Sequence, residues 1–346
     1  MQTDKSRKTG FAQNFVRMWK SNPLLSTGCV LALMIVLQTL ALGFDYPDLN
    51  SWFVSWYKNW LNILRNNANV GIVALGMTFV IISGGIDLAV GSTLVAVGAV
   101  LMVLINGHDD GLLTAVGITG LPAYLIGILA ALAVGCTVGA VNGVLVARSR
   151  IPAFIATLGM MKICRSVTQQ CMQTVGVKVP KAFLAISNAK IGGEIILPII
   201  YWLVLALILH VVSRRTPFGR QVYAVGSNER TARLSGVNVE RVKTWVYVLT
   251  GALVAIAAVI QVARIGSMDY ANAGSGYEMD AIAAVVVGGT SMSGGKGSIA
   301  GTVLGMLIIA VMNNLLNLMG VPPFLREAFK GAIVIAAVLL QKKEQS

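Results

Sequence analysis

The chain has 346 residues, of which 56% are hydrophobic and only 12% charged, with a mean hydropathy of +0.76. A soluble domain carries about 25% charged residues, so the composition excludes a soluble enzyme and points to an all-α polytopic membrane protein. The formal net charge of +13 does not call for nucleic acid as a partner. The basic residues lie between hydrophobic runs, where the cytoplasmic preference of Lys and Arg and their attraction to anionic lipid account for them.

In chain order, a polar head (1–23) with Lys5, Arg7, Lys8, Arg17 and Lys20 precedes a first span at 24–42. No small-residue cleavage pattern follows it, so it is expected to stay uncleaved. The stretch 43–65 carries Trp52, Trp56, Tyr57 and Trp60. It reads as an interfacial amphipathic helix with its rings at headgroup level, or as an aromatic surface for stacking on a sugar. Nine further spans are expected at 68–83, 90–105, 123–147, 152–169, 195–212, 244–262, 281–292, 299–318 and 324–340, and 342–346 is a tail. Together 24–341 form one membrane domain of about ten crossings. Several spans fall short of the roughly 20 residues a straight crossing needs. These are read as broken or re-entrant, which hydrocarbon tolerates only where the backbone is buried in protein or lines a cavity. An inside amino terminus puts 17 of the 27 Lys and Arg residues inside and eight outside, so both termini are expected in the cytoplasm. The longest stretch that cannot sit in hydrocarbon, 213–243, then becomes a cytoplasmic loop with seven basic and two acidic residues.

Two stretches echo each other. Around Gly84, Gly85, Asp87, Gly91 and Ser92, and again around Gly288, Gly289, Gly294 and Gly295, an apolar helix meets a Gly-Gly break, a short polar connection and a Gly-Ser that opens another apolar helix. Asp87 is the one carboxylate well inside an apolar stretch. It reads as a group accepting backbone N–H bonds from the helix beginning near Leu88, or as a solute or proton site. Lys162 and Arg165 interrupt the fifth span, Lys and Arg there either snorkelling outward or facing a cavity. Side chains able to hydrogen-bond a hydroxylated solute include Asn67, Asn69, Thr78, Thr157, Gln169, Gln170, Asn313 and Asn314, each equally able to bond a neighbouring helix; Phe154 could stack on a sugar ring or pack in the core. Gly135, Gly139 and Gly143, and Gly301 and Gly305, mark close helix–helix faces. Cys29, Cys136, Cys164 and Cys171 have no metal spacing and read as small buried hydrophobes, and His108 and His210 are isolated. No metal or cofactor is expected in this chain.

The stretch from Gly289 to Ser298 imitates a phosphate loop and fails. Lys296 is followed by Gly297 where Ser or Thr is required, and position 290 is Thr where that pattern has glycine. A chain without a nucleotide site does not hydrolyse ATP; if ATP drives it, the ATPase is another chain, carrying ATP and Mg. Within 213–243, Ser227 or Asn228 can cap a short helix over 229–235 that Gly236 ends. Arg230 and Arg233 are its charged residues, Ala232 and Leu234 its apolar ones.

Four stretches carry a family resemblance: GGIDLAVGS (84–92), IPAFIATLGMM (151–161), TPFGRQVYAVGSNERTARLSGVNV (216–239) and EMDAIAAVVVGGTSMSGGKGSIAGTVLG (278–305). Together, over about 66–341, they resemble the ribose-type permeases of bacterial ABC sugar importers; the likeness frays over 162–173. The resemblance implies a permease that pairs in the inner membrane, usually as a homodimer, with a cytoplasmic ABC ATPase and a periplasmic or lipid-anchored sugar-binding protein as partners. It implies alternating access, with the sugar passing between two permease copies. It also implies that 228–236 is the coupling helix, with Arg220, Ser227, Asn228, Glu229, Arg230, Ala232, Arg233, Leu234 and Gly236 at the ATPase and Arg220, Arg230 and Arg233 meeting acidic surface. The alternative reading is a secondary transporter driven by an ion gradient, for which Asp87 is the one candidate coupling carboxylate.

Overall fold

The computed structural model describes residues 23–107, 111–149, 151–172 and 179–345. The basic residues of the head, His108, Arg150, Lys178, Gln173 and the last residue of the tail lie outside the described residues. Each apolar stretch becomes a helix, as hydrocarbon demands, because only a helix satisfies its own backbone hydrogen bonds within one segment. The helices are α1 Pro23–Leu42, α2 Leu49–Ile82, α3 Val90–Leu104, α4 Leu112–Ala115, α5 Leu121–Ala147, α6 Ala153–Met172 and α7 Lys181–Asn188. There follow α8 Leu197–Arg215, α9 Pro217–Ser227, α10 Glu229–Leu234, α11 Val239–Ile265, α12 Tyr277–Val287, α13 Ile299–Leu318 and α14 Pro323–Gln345. Among the described residues the one β-type pairing is an isolated bridge between Ile191 and Glu194. Among the described residues six helices (α1, α2, α5, α8, α11 and α13) are long and apolar enough to cross a membrane.

The Trp-rich stretch is not a separate interfacial helix. It is the first half of α2, which runs unbroken for 34 residues, about 51 Å at 1.5 Å per residue. No Pro or Gly occurs between Leu49 and Gly71 to stop it. Asp48 starts it by accepting a hydrogen bond from the Ser51 N–H at 3.2 Å. The indoles tie this half to α1: Trp52 Nε1 donates to the Gly43 carbonyl at 2.9 Å and Trp56 Nε1 to Thr39 Oγ1 at 3.2 Å.

The second half of α2 is the axis of the fold. All residues from Ala68 to Ile82 are buried, packed by α8, α11, α12 and α13. Helices α5 and α8 stand further out and turn Leu125, Leu129, Leu203 and Leu207 outward, as lipid-facing helices must. The small-residue row of α5 lies against α11. A Cβ on Gly135 would meet the Gly251 carbonyl oxygen at 2.5 Å, one on Gly143 would meet Thr244 Cα at 2.8 Å, and one on Gly139 would collide with the Tyr247 carbonyl. Gly301 and Gly305 likewise press on the backbone of Gly288 and Ala284 in and after α12.

Two further departures concern 213–243. It is helical rather than a loop: α9 fills 217–227, and α11 begins at Val239, five residues before the expected span. Thr216 caps α9 by accepting from the Gly219 N–H at 3.2 Å, with Pro217 at its first position, a start favoured because proline there forfeits no helical hydrogen bond. The expected span 281–292 is instead α12, which begins at Tyr277 and stops at Gly288.

Gly139→Ile is expected to destabilise the α5–α11 pair by about 1–3 kcal/mol, the usual cost of overpacking, lowering the unfolding temperature of the detergent-solubilised protein. Gly28→Ala, where an added Cβ meets nothing within 4 Å, should leave it unchanged.

Candidate functional site

The short helix α10 is built from its caps. Asn228, in extended backbone, accepts a hydrogen bond from the Thr231 N–H at 2.9 Å. This settles the cap on Asn228 rather than Ser227. At the other end Gly236 takes φ +82°, a left-handed conformation that glycine adopts without strain. The Gly236 and Val237 N–H groups return to the Arg233 and Ala232 carbonyls, both at 3.1 Å. A helix this short is marginal alone, and its support is ionic and apolar. Glu229 lies 2.6 Å from Lys243 and 3.8 Å from Arg233, which in turn lies 3.5 Å from Glu240. These pairs tie α10 to the first two turns of α11. Ala232 is buried, whereas Leu234 is 84% exposed. Arg220 and Arg230 are exposed, with no acidic partner among the described residues.

Immediately before α10, three breaks in helix meet. Ile82 ends α2, and its carbonyl accepts a hydrogen bond from the Gly295 N–H at 2.9 Å. A Cβ on Gly226 would overlap the Ile82 carbonyl and approach Gly295 N at 2.7 Å, and one on Gly295 would come within 2.7 Å of Ser227 Cα. Gly294 sits against the Gly226 carbonyl in the same way. Tyr223 of α9 donates to the Gly297 carbonyl at 2.9 Å. Burial pushes its phenol above the ordinary range, so the hydroxyl stays a protonated donor. The connection 288–298, the end of α2 and the end of α9 therefore form one backbone-to-backbone joint that only glycine permits.

The two hairpins share their helix stop, though not their restart. Gly84 N–H bonds the Ile81 carbonyl and Gly85 N–H the Val80 carbonyl, both at 2.9 Å. Gly289 N–H bonds Val286 at 2.9 Å and Thr290 N–H bonds Val285 at 3.1 Å. Gly84 and Gly289, both with φ above +80°, are thus the equivalent residues, one position out from the register the paired glycines suggest. Ser298 caps α13 by accepting from the Gly301 N–H at 3.0 Å. Gly91 and Ser92, by contrast, lie inside α3 rather than opening it. Asp87 is buried and accepts from the Ala89 N–H at 2.9 Å. It closes a local turn of the Asx type, while Ala89 is the helix cap. Thr157 and Tyr247 hydroxyls both reach the Ile86 carbonyl, at 3.4 and 3.3 Å, and hold this hairpin from α6 and α11.

The polar side chains of α2 and α13 considered for a solute path do not converge. Asn67 donates to the Ile63 carbonyl at 2.8 Å, and Thr78 bonds Thr302 at 2.7 Å across α2 and α13. Asn69 donates to Gln261 at 3.4 Å, and Gln261 also accepts from the Tyr277 hydroxyl at 3.1 Å. Asn314 exchanges amide hydrogen bonds with Asn59 at 3.1 and 3.2 Å, and Asn313 Oδ1 is buried with no partner. Thr157 also bonds Ala153 at 2.9 Å, and Phe154 is exposed. Arg165 donates to the carbonyls of Ala271 and Ala273 at 3.1 and 2.8 Å. Sequence reasoning passed over that last partner, the irregular stretch 266–276. It also passed over α9, although Thr216-Pro217 is a readable helix start. Among the described residues no group of acidic, His or Cys side chains could hold a metal ion.

A capped surface helix is thus jointed through glycine backbone to the breaks in a bundle of apolar helices. The profile of the family described as branched-chain amino acid transport system / permease component matches residues 59–338, and the chain belongs to that family, within its ribose-type branch. It is 39% identical over 340 residues to the ribose import permease protein of Escherichia coli (strain K12), covering 96% of this chain and 97% of the relative. It is 40% identical over 292 residues to the ribose import permease protein of Bacillus subtilis (strain 168), covering 83% and 86%. To the xylose transport system permease protein of Escherichia coli (strain K12) it is 35% identical over 342 residues, covering 81% and 84%. No solved structure matches the chain.

Gly226→Ala should lower both the yield of folded protein and its thermal stability, because the added methyl overlaps the Ile82 carbonyl. Gly331→Ala, where the methyl meets nothing within 4 Å, is the matched control; equal behaviour of the two in thermal unfolding would contradict the glycine joint.

Proposed function

We propose that the chain is the transmembrane subunit of an ATP-driven importer for a monosaccharide or sugar alcohol, working by alternating access in the bacterial inner membrane. Its sugar-import permease relatives support the substrate class. Ten helices (α1, α2, α3, α5, α6, α8, α11, α12, α13 and α14) make the crossings, α3 and α12 being short. Both termini and the α9–α10 face lie in the cytoplasm. The importer pairs two permease copies with a cytoplasmic ABC ATPase, which binds ATP and Mg, and with a periplasmic or lipid-anchored sugar-binding protein. The sequence offers no phosphate loop of its own, so the energy enters through a surface.

The observation that carries this reading is Leu234. An apolar side chain 84% exposed at the tip of a doubly capped helix contributes nothing to its own fold and has the form of an anchor for a partner's pocket. Arg220 of α9 and Arg230 of α10, both exposed, offer unspent charge for an acidic ATPase surface, whereas Arg233 is held internally by Glu229 and Glu240. Movement of α10 reaches the bundle through the glycine joint, because Ser227 touches Gly295 and Gly226 touches Ile82. The permease does no covalent chemistry. It rocks helix bundles as closure of the ATPase pulls on this joint.

Leu234→Asp should leave membrane insertion and thermal stability unchanged, and reduce ATP-driven uptake at least about tenfold, equivalent to about 1.4 kcal/mol of docking energy. Uptake at the unaltered rate would place the ATPase elsewhere.

A further inference from the structure

Between α11 and α12 the chain does not turn at the end of a span; it runs back alongside α3. A Cβ on Gly98 would meet Met268 Cε at 2.5 Å, and Gly274 packs on the backbone of Gly91. Gly91 and Gly98 are seven residues apart on α3, about 10 Å at 1.5 Å per residue, so 268–274 descends by that distance next to the helix. Arg165 pins it from α6, donating to Ala271 and Ala273. Arg165 lies twelve residues past the start of α6, about 18 Å along its axis, well inside the bundle. The segment is therefore non-helical backbone at membrane depth.

Hydrocarbon accepts such backbone only where it is buried in protein or lines a water-filled space. One edge is buried, with Met268 and Gly274 against α3. The other carries Ser267, Asp269, Asn272 and Ser275, all exposed. Asp269 and Asn272 are fixed in place: the carboxylate accepts from the Ala271 N–H at 2.8 Å, the Asn272 N–H at 3.2 Å and Asn272 Nδ2 at 2.9 Å.

Helix α6 shows the same contradiction with lipid from the other side. Its buried face is Ala156, Thr157, Cys164, Thr168 and Met172. At 100° per residue the opposite face carries Ile155 and Gly159 in its first half and Lys162, Ser166 and Gln170 in its second, with Gln169 beside them. Lys162, Ser166 and Gln170 are exposed. Although 20 residues long, α6 is not among the helices apolar enough to cross a membrane unaided. Arg165 stands between this face and the irregular segment, joining two polar surfaces into one. Glu278, whose carboxylate lies beside Gly91 of α3, and Asp269 offset the charges of Lys162 and Arg165, which suits a neutral ligand rather than an ion.

We propose that the exposed edge of 266–276 and the polar face of α6 form one wall of the solute path, with Lys162, Gln169, Gln170, Asp269 and Asn272 donating to and accepting from the hydroxyls of a neutral sugar. The inference rests on the permease reading above and assigns its specificity-determining residues. Arg165 is a positioning residue that holds the wall in shape.

The test uses the whole importer in membrane vesicles. In a background with the native cysteines replaced and uptake retained, Asn272→Cys and Gln170→Cys are treated with a charged, membrane-impermeant thiol reagent. Leu129→Cys, on a lipid-facing position 65% exposed, is the reference. Thiolate is the reacting form and hydrocarbon suppresses it, so both path positions should react at least about tenfold faster than the reference; reaction no faster overturns the water-lined wall, whatever the energy source. Asn272→Ala, Asp269→Asn and the milder Asn272→Gln are then compared with ribose as the probe. Ribose moved per ATP, or the ribose-to-xylose uptake ratio, should change at least about fivefold in the first two, as expected when a hydrogen-bonding partner of the solute is lost, with ATPase activity retained. Fast labelling with both ratios unchanged overturns the solute-contact role. Fast labelling with uptake that ignores ATP leaves the wall in place and refutes the ATP-driven reading instead.

Discussion

Hydrocarbon offers no partner to a backbone N–H or carbonyl, and this chain interrupts its helices at 83–89, 266–276 and 288–298. Each interruption is closed by other backbone or by a side chain reaching a carbonyl. Gly295 bonds Ile82, Tyr223 bonds Gly297, Thr157 and Tyr247 bond Ile86, and Arg165 bonds Ala271 and Ala273. Unmet, each such group would cost several kcal/mol. The architecture follows from meeting them: the breaks must lie against one another or against a polar side chain, so distant parts of the chain converge.

That convergence couples surface to core. Close backbone contact leaves little room for independent movement, and packed interfaces shift between discrete arrangements rather than deform continuously. Helix α10 is held to α11 by the Glu229–Lys243 and Arg233–Glu240 pairs, while the end of α9 touches both the end of α2 and the 288–298 connection. The ion pairs are largely exposed and individually worth little; together they hold α10 against α11. The glycine contacts supply the stiffness.

Much of this was legible in the sequence. Every apolar stretch is a helix, and a capped helix over 229–235 was read from Ser227 or Asn228 and Gly236 because capping is local chemistry; the structure has it at Glu229–Leu234 with Asn228 as the cap. The boundary between 43–65 and 68–83 was misplaced because a change of composition at the bilayer surface is not a helix breaker, and α2 contains no breaker there. Thr78 and Asn314 read in the sequence as able to bond a solute or a neighbouring helix, and in the structure Thr78 bonds Thr302 and Asn314 bonds Asn59. Which of two hydrogen-bonding fates a membrane Asn or Thr meets depends on the helix opposite, and periodicity carries no information about that. The descent of 266–276 was hidden for the same reason: the partner that draws it inward, Arg165, lies more than a hundred residues earlier.

The central claim is that this bundle has no energy source of its own and is worked from its α9–α10 face by a separate ATPase. Ribose uptake into sealed vesicles carrying the full importer tests it most directly, with the ATPase either intact or inactivated and the proton gradient either present or collapsed. The account predicts uptake that vanishes with the inactive ATPase and persists when the proton gradient is abolished. Uptake that survives ATPase inactivation and disappears with the gradient would contradict it.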